Sequence, residues 1–286
     1  MEIKKLDNWF SLPEVWFWTW PMWGFKHAIE NYNNEKDVKA IRFAIDNWMT
    51  HFDTAELYWT GKAEEILSKA IKPYDRKLFQ IASKVKGSNC SYNAIKIACK
   101  KSLERLEIDY IDLYYIHWRE KQFDLKDCMK AMDELIEEWL IKNIWVSNFS
   151  TESLIEAQSY TKNKIVANQV HYNLIYREPE VDLLEYCQKN DVLLVAWRPL
   201  ELGKLCNAGT YALVDTAFKY KKTHSQISIN YLTSQKNVVT LFKSSNIEHI
   251  EENLWAIWWN LEEEDINYLK NNFSAKVEKS DTIPLW

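Results

Sequence analysis

Glycine is scarce in this sequence. Five occur in 286 residues, where the usual share of about 7% would supply about 20. The glycine-rich phosphate loop that normally follows an early strand of a doubly wound sheet is missing. The five cysteines, at 90, 99, 128, 187 and 206, are odd in number, scattered and without a Cys-x-x-Cys pair. They read as free thiols in a reducing cytoplasm rather than as a disulfide framework or a zinc site, and no metal is expected. No apolar run reaches the ~18 residues of a membrane span, and Met1-Glu2-Ile3-Lys4-Lys5 does not lead into a signal-peptide core. A basic face is lacking too. The net charge is −5 with acids and bases interleaved, and Lys100-Lys101 and Lys219-Tyr220-Lys221-Lys222 are short runs on solvated helix faces. Nucleic acid is therefore not an expected partner.

What the sequence does contain is a repeating unit. An apolar run of strand length is followed by an amphipathic segment, eight times over. The expected strands are Val15–Thr19, Thr50–Asp53, Leu78–Lys84, Tyr110–His117, Ile141–Val146, Ile165–Val170, Val192–Ala196 and Val238–Phe242. Their cores are rich in Val, Ile and Leu on both faces, as in parallel strands covered on both sides. Asn93–Leu106 carries apolar residues at 94, 95, 97, 98, 103 and 106 with Ser91 as its cap, and Lys126–Glu138 repeats the pattern. Ser150 or Thr151 caps the next helix, and Pro179 suits the first turn of the one after. Strand alternating with helix admits an eight-stranded barrel or a doubly wound sheet. The missing phosphate loop favours a (β/α)8 barrel, one α/β domain over residues 1–286, with its site at the C-terminal strand ends.

Those ends carry chemistry. Asp53 ends the second strand, Tyr58 follows five residues later, Lys84 ends the third strand and His117 the fourth. Taken singly, each reads more readily as packing, surface or a satisfied core residue. Together they place a carboxylate, a phenol, an ammonium and an imidazole at one barrel mouth, which is a proton-donor set. Reducing a carbonyl takes a hydride to carbon and a proton to oxygen. A phenol with an ordinary pKa near 10 is a weak donor at neutral pH. A neighbouring Lys cation is expected to stabilise the phenolate and lower that pKa, with Asp53 holding the ammonium and His117 bonding the substrate oxygen or relaying a proton. A barrel isomerase or an aldolase using Lys84 as a Schiff-base nucleophile is the competing chemistry.

Several segments resemble the aldo-keto reductase family. They are Thr19-Trp20-Pro21-Met22, His51-Phe52-Asp53-Thr54-Ala55-Glu56-Leu57-Tyr58, Leu106–Trp118, Val146-Ser147-Asn148-Phe149, Asn168-Gln169-Val170, Ala196-Trp197-Arg198-Pro199-Leu200 and Lys243-Ser244. The resemblance implies a catalytic tetrad of Asp53, Tyr58, Lys84 and His117. It implies that Ser147, Asn148 and Gln169 hold a nicotinamide carboxamide, that Trp197 stacks on the ring, and that Arg198-Pro199-Leu200 follow the pyrophosphate. Lys243 and Ser244 would take the adenosine 2′-phosphate, and Glu252 and Asn253 the adenine. Thr19 and Trp20 would also face the cofactor, and Trp20 and Trp118 the substrate. His249 stands where many relatives have Arg, a weaker grip on phosphate. NADPH is the expected cofactor, with NADH tolerated. The implied activity is reduction of an aldehyde or ketone by a cytoplasmic monomer, the alternative being an NADP-binding partner subunit with little turnover. The substrate is not specified, because Glu201–Tyr211 is short and without chemical signature.

Fifteen tryptophans are the mirror image of the missing glycine. Trp9, Trp16, Trp18, Trp23, Trp48, Trp59, Trp139, Trp145, Trp255 and Trp258 stand where the family pattern carries Gly, whereas Trp20, Trp118, Trp197 and Trp259 fit it and Trp286 is undecided. Trp48 and Trp139 follow helical runs, where a left-handed glycine is favoured. Three readings compete: natural divergence, deliberate engineering, and a genetic code in which UGA means glycine but is translated as tryptophan. The third is preferred, since moving the ten raises Gly from 5 to 15 and lowers Trp from 15 to 5.

Overall fold

The computed structural model describes residues 2–7, 10–20, 22, 34–207 and 210–277. The chain enters as a short antiparallel hairpin, β1 (Ile3–Lys5) and β2 (Ser11–Pro13). Eight parallel strands follow: β3 (Val15–Trp18), β4 (His51–Asp53), β5 (Gln80–Val85), β6 (Ile111–Ile116), β7 (Ile141–Ser147), β8 (Ile165–His171), β9 (Leu193–Trp197) and β10 (Val238–Phe242). They pair in sequence order, and β10 closes on β3. Helices α1 (Glu35–Asp46), α2 (Lys62–Ile71), α3 (Tyr92–Leu106), α4 (Leu125–Glu137), α5 (Thr151–Ser159) and α6 (Leu183–Lys189) each follow one strand. The pairs α7 (Tyr211–Tyr220) with α8 (His224–Thr233) and α9 (Ile247–Leu254) with α10 (Glu263–Asn272) follow β9 and β10. This is the expected (β/α)8 barrel.

Local differences have simple causes. Leu78 lies in a 3-10 turn, Arg76–Leu78, that Asp75 caps, so β5 begins at Gln80. Ile97 is 55% exposed, which narrows the buried stripe of α3 to Ile95, Ala98, Cys99, Leu103 and Leu106. Ser91 sits at the N-cap of α3 without a side-chain cap bond, whereas the Ser150 hydroxyl accepts from the Ser153 N–H at 3.3 Å. Pro179 lies in a 3-10 turn, Glu178–Glu180, just before α6.

Two apolar sets alternate along each strand, as side chains on opposite faces of a sheet must. One set, including Ile81, Tyr114, Ile144 and Leu194, packs with helix residues such as Ile41, Leu67, Met129 and Leu135. The other, including Trp16, Ala82, Leu113, Tyr115, Trp145, Val195 and Leu241, packs with Leu6 and Leu12 from the entry hairpin. The second set fills the barrel, and the hairpin residues join it.

Trp9, Trp23 and Trp286 lie outside the described residues. Of the eight other suspect tryptophans, Trp48, Trp59, Trp139 and Trp258 have φ of 75°, 52°, 61° and 78°. At the end of α1 the Trp48 N–H bonds the Ile45 carbonyl and the Met49 N–H bonds that of Ala44. At the end of α4 the Trp139 and Leu140 N–H groups repeat this with Ile136 and Leu135. Both are Schellman endings, with tryptophan at the position that glycine favours. The left-handed conformation is not closed to other residues, since Glu107, Asp191 and Lys221 also adopt it, but a Cβ there costs about 1–2 kcal/mol. Trp16, Trp18 and Trp145 lie in strands, and Trp255, with φ −79°, ends α9 without strain.

Trp48 and Trp139 are 76% and 85% exposed, so no packing offsets their strain. Trp48→Gly and Trp139→Gly should each raise the unfolding free energy by about 1 kcal/mol, measured by chemical denaturation. In the coding DNA the ten suspect positions should read UGA and Trp20, Trp118, Trp197 and Trp259 UGG. UGG throughout, with no gain from the glycines, would retire that reading.

The barrel interior makes a second prediction. His51 lies fully buried against Trp16, ring centroids 4.0 Å apart, and its two ring nitrogens have no hydrogen-bond partner. Burial pushes its pKa from 6.5 down to about 3, against the pull of Asp112 and the nearby Gln80 amide. A depressed folded-state pKa means that the unfolded chain takes up the proton first. Stability is therefore retained above 6.5 and lost as pH falls toward 3. Going from neutral pH to pH 5 should cost about 2 kcal/mol through His51. A His51→Leu variant should lack that part of the slope, and an unchanged slope would contradict the assignment.

Candidate active site

The alternation that fills the barrel also aims the site residues. Asp53 ends β4 in register with Trp18 of β3. Lys84 of β5 pairs with Tyr115 of β6, and Ser147 of β7 with Gln169 of β8. His117 lies one residue past β6, and Trp197 ends β9. Each continues the inward set of its strand, so the top layer of the barrel interior is polar where the lower layers are apolar. Tyr58 arrives from the 3-10 turn Tyr58–Gly61 after β4.

Lys84 and Asp53 are both fully buried and form an ion pair. The other two protons of the ammonium go to the Thr54 carbonyl at 2.8 Å and the Tyr58 Oη at 3.0 Å, which uses all three of its donors. Gln169 Nε2 donates to the second Asp53 oxygen at 3.0 Å. Burial holds Lys84 below the ordinary lysine range and Asp53 above the ordinary carboxylate range. The expected lowering of the Tyr58 pKa is not the net result. Burial, followed by the Asp53 charge, holds the phenol well above its ordinary range, although the Trp18 indole donates to it. Tyr58 therefore keeps its proton, with Lys84 already bonded to the oxygen that would become phenolate. Burial, with Lys84 second, also holds His117 well below the imidazole range, so its ring is neutral. The two rings stand edge to face with centroids 5.8 Å apart.

Two cavities meet at this layer. A chamber of about 80 Å³ is lined by Tyr58, His117, Trp118, Ser147, Asn148, Gln169 and Trp197, with Trp18, Trp20, Leu57 and Arg198. A groove of about 700 Å³ runs outward past Trp20, Arg198, Pro199, Leu200, Lys243, His249, Glu252 and Asn253. Thus most residues implied by the resemblance share one cleft. Two do not line it. Thr19 is buried with its hydroxyl on the Asp53 carbonyl at 3.2 Å. Ser244 spends its hydroxyl on the Asn246 backbone, accepting at 2.9 Å and donating at 3.0 Å. Lys243 is half-buried on the groove wall, and burial lowers its pKa.

The amides are already ordered. Asn148 Nδ2 donates to the His117 carbonyl and the Ser147 Oγ at 2.9 and 3.0 Å, and its Oδ1 accepts from Trp197 Nε1 at 3.2 Å. Sequence reasoning missed the group behind Trp197. His171 stacks on that indole, centroids 4.3 Å apart, and on Tyr176 at 4.0 Å. Its Nε2 meets the Glu201 carboxylate at 2.7 Å, and Asn173 Nδ2 reaches the same oxygen at 2.9 Å. The signal was faint, because Glu201 lies in a loop where Leu202 and Gly203 take positive φ and sequence patterns do not predict such turns.

The cleft has counterparts. The profile of the Aldo/keto reductase family matches residues 22–272. A methylglyoxal reductase of Escherichia coli (strain K12) is 31% identical over 274 residues, covering 94% of each chain. A glyoxal reductase of Bacillus subtilis (strain 168) is 34% identical over 265 residues, 92% of this chain and 90% of that one. Among solved structures, a thermostable aldo-keto reductase bound to the inhibitor epalrestat superposes with a TM-score of 0.91 at 37% identity, covering 95% of this chain and 99% of that one. An aldo-keto reductase from Klebsiella pneumoniae in complex with NADPH gives 0.86 at 30% identity over 99% of both. Sequence profile, barrel and cleft agree: this chain belongs to the aldo/keto reductase family.

Proposed function

We propose that this chain reduces a small aldehyde or ketone with NADPH, and that Tyr58 delivers the proton. The observation that carries the reading is the bond from a fully buried, Asp53-held Lys84 to the Tyr58 oxygen at 3.0 Å. It supplies a cation at the atom where negative charge develops as the proton leaves. Asp53 keeps the ammonium charged in a dry site, and neutral His117 faces the same chamber as a donor to the substrate oxygen. NADPH, when bound, supplies the hydride. The groove suits it: Lys243 offers a half-buried cation for the 2′-phosphate, Arg198-Pro199-Leu200 lie along the middle, and Trp197 faces the inner end. Thr19 and Ser244 support the walls from behind. The names of the methylglyoxal and glyoxal reductases, with a chamber walled by Trp20, Leu57 and Trp118, point to short aldehydes as first substrates to try. Lys84 as a Schiff-base nucleophile is disfavoured, since its three protons are all engaged. A non-catalytic partner subunit would have no use for this donor set. Four buried thiols fit a reducing cytoplasm, and we infer a monomer that binds no nucleic acid.

Tyr58→Phe should lower kcat by about 1000-fold or more, within the range for a lost general acid, and leave the NADPH Kd nearly unchanged. Lys84→Met should slow reduction and move its alkaline limb to higher pH, because removing a cation raises the pKa of the phenol. Near-normal turnover in Tyr58→Phe, or a Lys84→Met effect confined to KM, would overturn these roles.

Cofactor choice is tested at His249, exposed on the groove wall. His249→Arg should raise the NADPH-over-NADH ratio of kcat/KM by about tenfold, since a guanidinium fork grips phosphate through paired donors and an imidazole grips it more weakly. An unchanged ratio means that position 249 does not read the 2′-phosphate.

A further inference from the structure

The cleft has an internal partition that the proposed chemistry does not use. Trp18 is the last residue of β3 and points inward beside Asp53. Its Nε1 donates to the Tyr58 Oη at 2.9 Å, and its ring lies edge to face with the phenol at 6.3 Å. It also stacks on Trp20, centroids 5.0 Å apart and planes 21° from parallel, and packs against the apolar residues of the barrel interior. Trp18 borders both the outer groove and the inner chamber, as Trp20 and Arg198 also do, and its indole is bonded to the Tyr58 oxygen. It therefore stands between the place where a dinucleotide would lie and the phenol that must meet the substrate.

Volume decides what this indole does. Pockets that hold small molecules run to roughly 300–1,000 Å³. The groove, at about 700 Å³, is in that range, but the chamber beside Tyr58 is about 80 Å³. That chamber would have to take a nicotinamide ring against Trp197 and a carbonyl group within ~3 Å of Tyr58 at the same time. The space is several-fold too small. The hydrogen bond from Trp18 would itself favour phenolate and so assist proton donation, but this advantage means nothing if the substrate oxygen cannot reach Tyr58.

We propose that Trp18 controls entry to the proton-donor chamber: its indole separates the chamber from the groove, and a small side chain at position 18 merges the two into one cleft that takes nicotinamide and carbonyl together. The proposal rests on Tyr58 as the proton donor only for its consequence in turnover. Its consequence for cofactor binding is independent of that role. A dinucleotide can seat its nicotinamide only in the fraction of molecules whose indole has swung away, and the apparent Kd rises by the inverse of that fraction. Residue 18 is also one of the ten positions where a UGA-glycine code would supply no side chain at all.

The experiment compares Trp18→Gly, Trp18→Ala and Trp18→Phe with the Trp18 chain. NADPH binding is followed by equilibrium titration of protein fluorescence, and turnover with methylglyoxal as the probe. Thermal unfolding of each variant confirms a cooperative fold, and Trp18→Ala serves if Trp18→Gly does not fold. Trp18→Gly and Trp18→Ala should tighten NADPH by about 10- to 100-fold and raise kcat/KM by at least as much. Trp18→Phe keeps a ring but loses the N–H, and should stay within about threefold of Trp18. If the indole serves instead as an acidifying donor, all three variants lose turnover and none gains affinity, which overturns the proposal. Equal NADPH affinity in Trp18, Trp18→Gly and Trp18→Ala overturns it as well, whatever happens to turnover. Tighter NADPH in Trp18→Gly with turnover that survives an added Tyr58→Phe sustains the entry role and removes Tyr58 as the donor.

Discussion

A carboxylate and an ammonium, both without solvent contact, sit at the top of the barrel, and much of the site is arranged to keep them there. Taking two charges out of water is costly, and their attraction compensates only when the remaining hydrogen-bonding capacity is also used. Here it is. Lys84 spends its other protons on the Thr54 carbonyl and the Tyr58 oxygen, and Asp53 takes the Gln169 amide. Because Gln169 is anchored to Asp53, β8 is tied across the barrel to β4. The neighbouring carboxamide of Asn148 then links β7 to Trp197 at the end of β9. The pair thus orients a phenol on one side and an amide wall on the other.

Most of this could be read before the structure because it depends on period and position. The apolar runs, most of them rich in Val, Ile and Leu, mark the strands, the helices between them make the strands parallel, and the missing phosphate loop favours closure. The site residues fall at strand ends, where a two-residue alternation decides that Asp53, Lys84 and Trp197 point inward. What escaped depends on things that a one-dimensional pattern does not encode. The hairpin β1–β2 has strands of three residues, too short to display alternation. The Glu201–His171–Asn173 cluster joins a turn with left-handed residues to the end of β8, and such turns follow from backbone geometry rather than hydropathy. The net direction of the Tyr58 pKa was also hidden. A cation near a phenol suggests acidity, but burial, followed by the charge of the carboxylate bound to that cation, raises the phenol instead.

The tryptophans divide by the physical problem each one raises. Trp48 and Trp139 burden the backbone alone, because their rings hang in solvent while a Schellman ending forces a positive φ. Trp59 has a positive φ and also a buried indole nitrogen without a hydrogen-bond partner. Trp16 and Trp145 occupy the barrel interior with centroids 5.1 Å apart, and the Trp145 nitrogen is likewise buried and unpaired. They fill space well, but they surround His51 with a surface that offers its nitrogens nothing. One residue type thus brings strain to helix ends, unsatisfied polar atoms to the core, and a ring to the catalytic chamber.

These burdens share a remedy, and that argues for a common origin. Four left-handed tryptophans cost about 4–8 kcal/mol together, a large part of the ~5–15 kcal/mol by which a folded domain is stable. Selection acting position by position would have little reason to accept the largest side chain at helix endings where Glu107, Asp191 and Lys221 show that smaller residues serve. It would have still less reason to set an indole on the oxygen of the proton donor. A single change in how one codon is read would affect all of these sites at once, and on that reading Trp197 and Trp118, whose indoles line the cleft, would keep their own codon. Glycine at the suspect positions frees the helix endings, opens space around His51 and clears the approach to Tyr58, while the buried Asp53–Lys84 pair is untouched and the groove loses only the Trp18 indole.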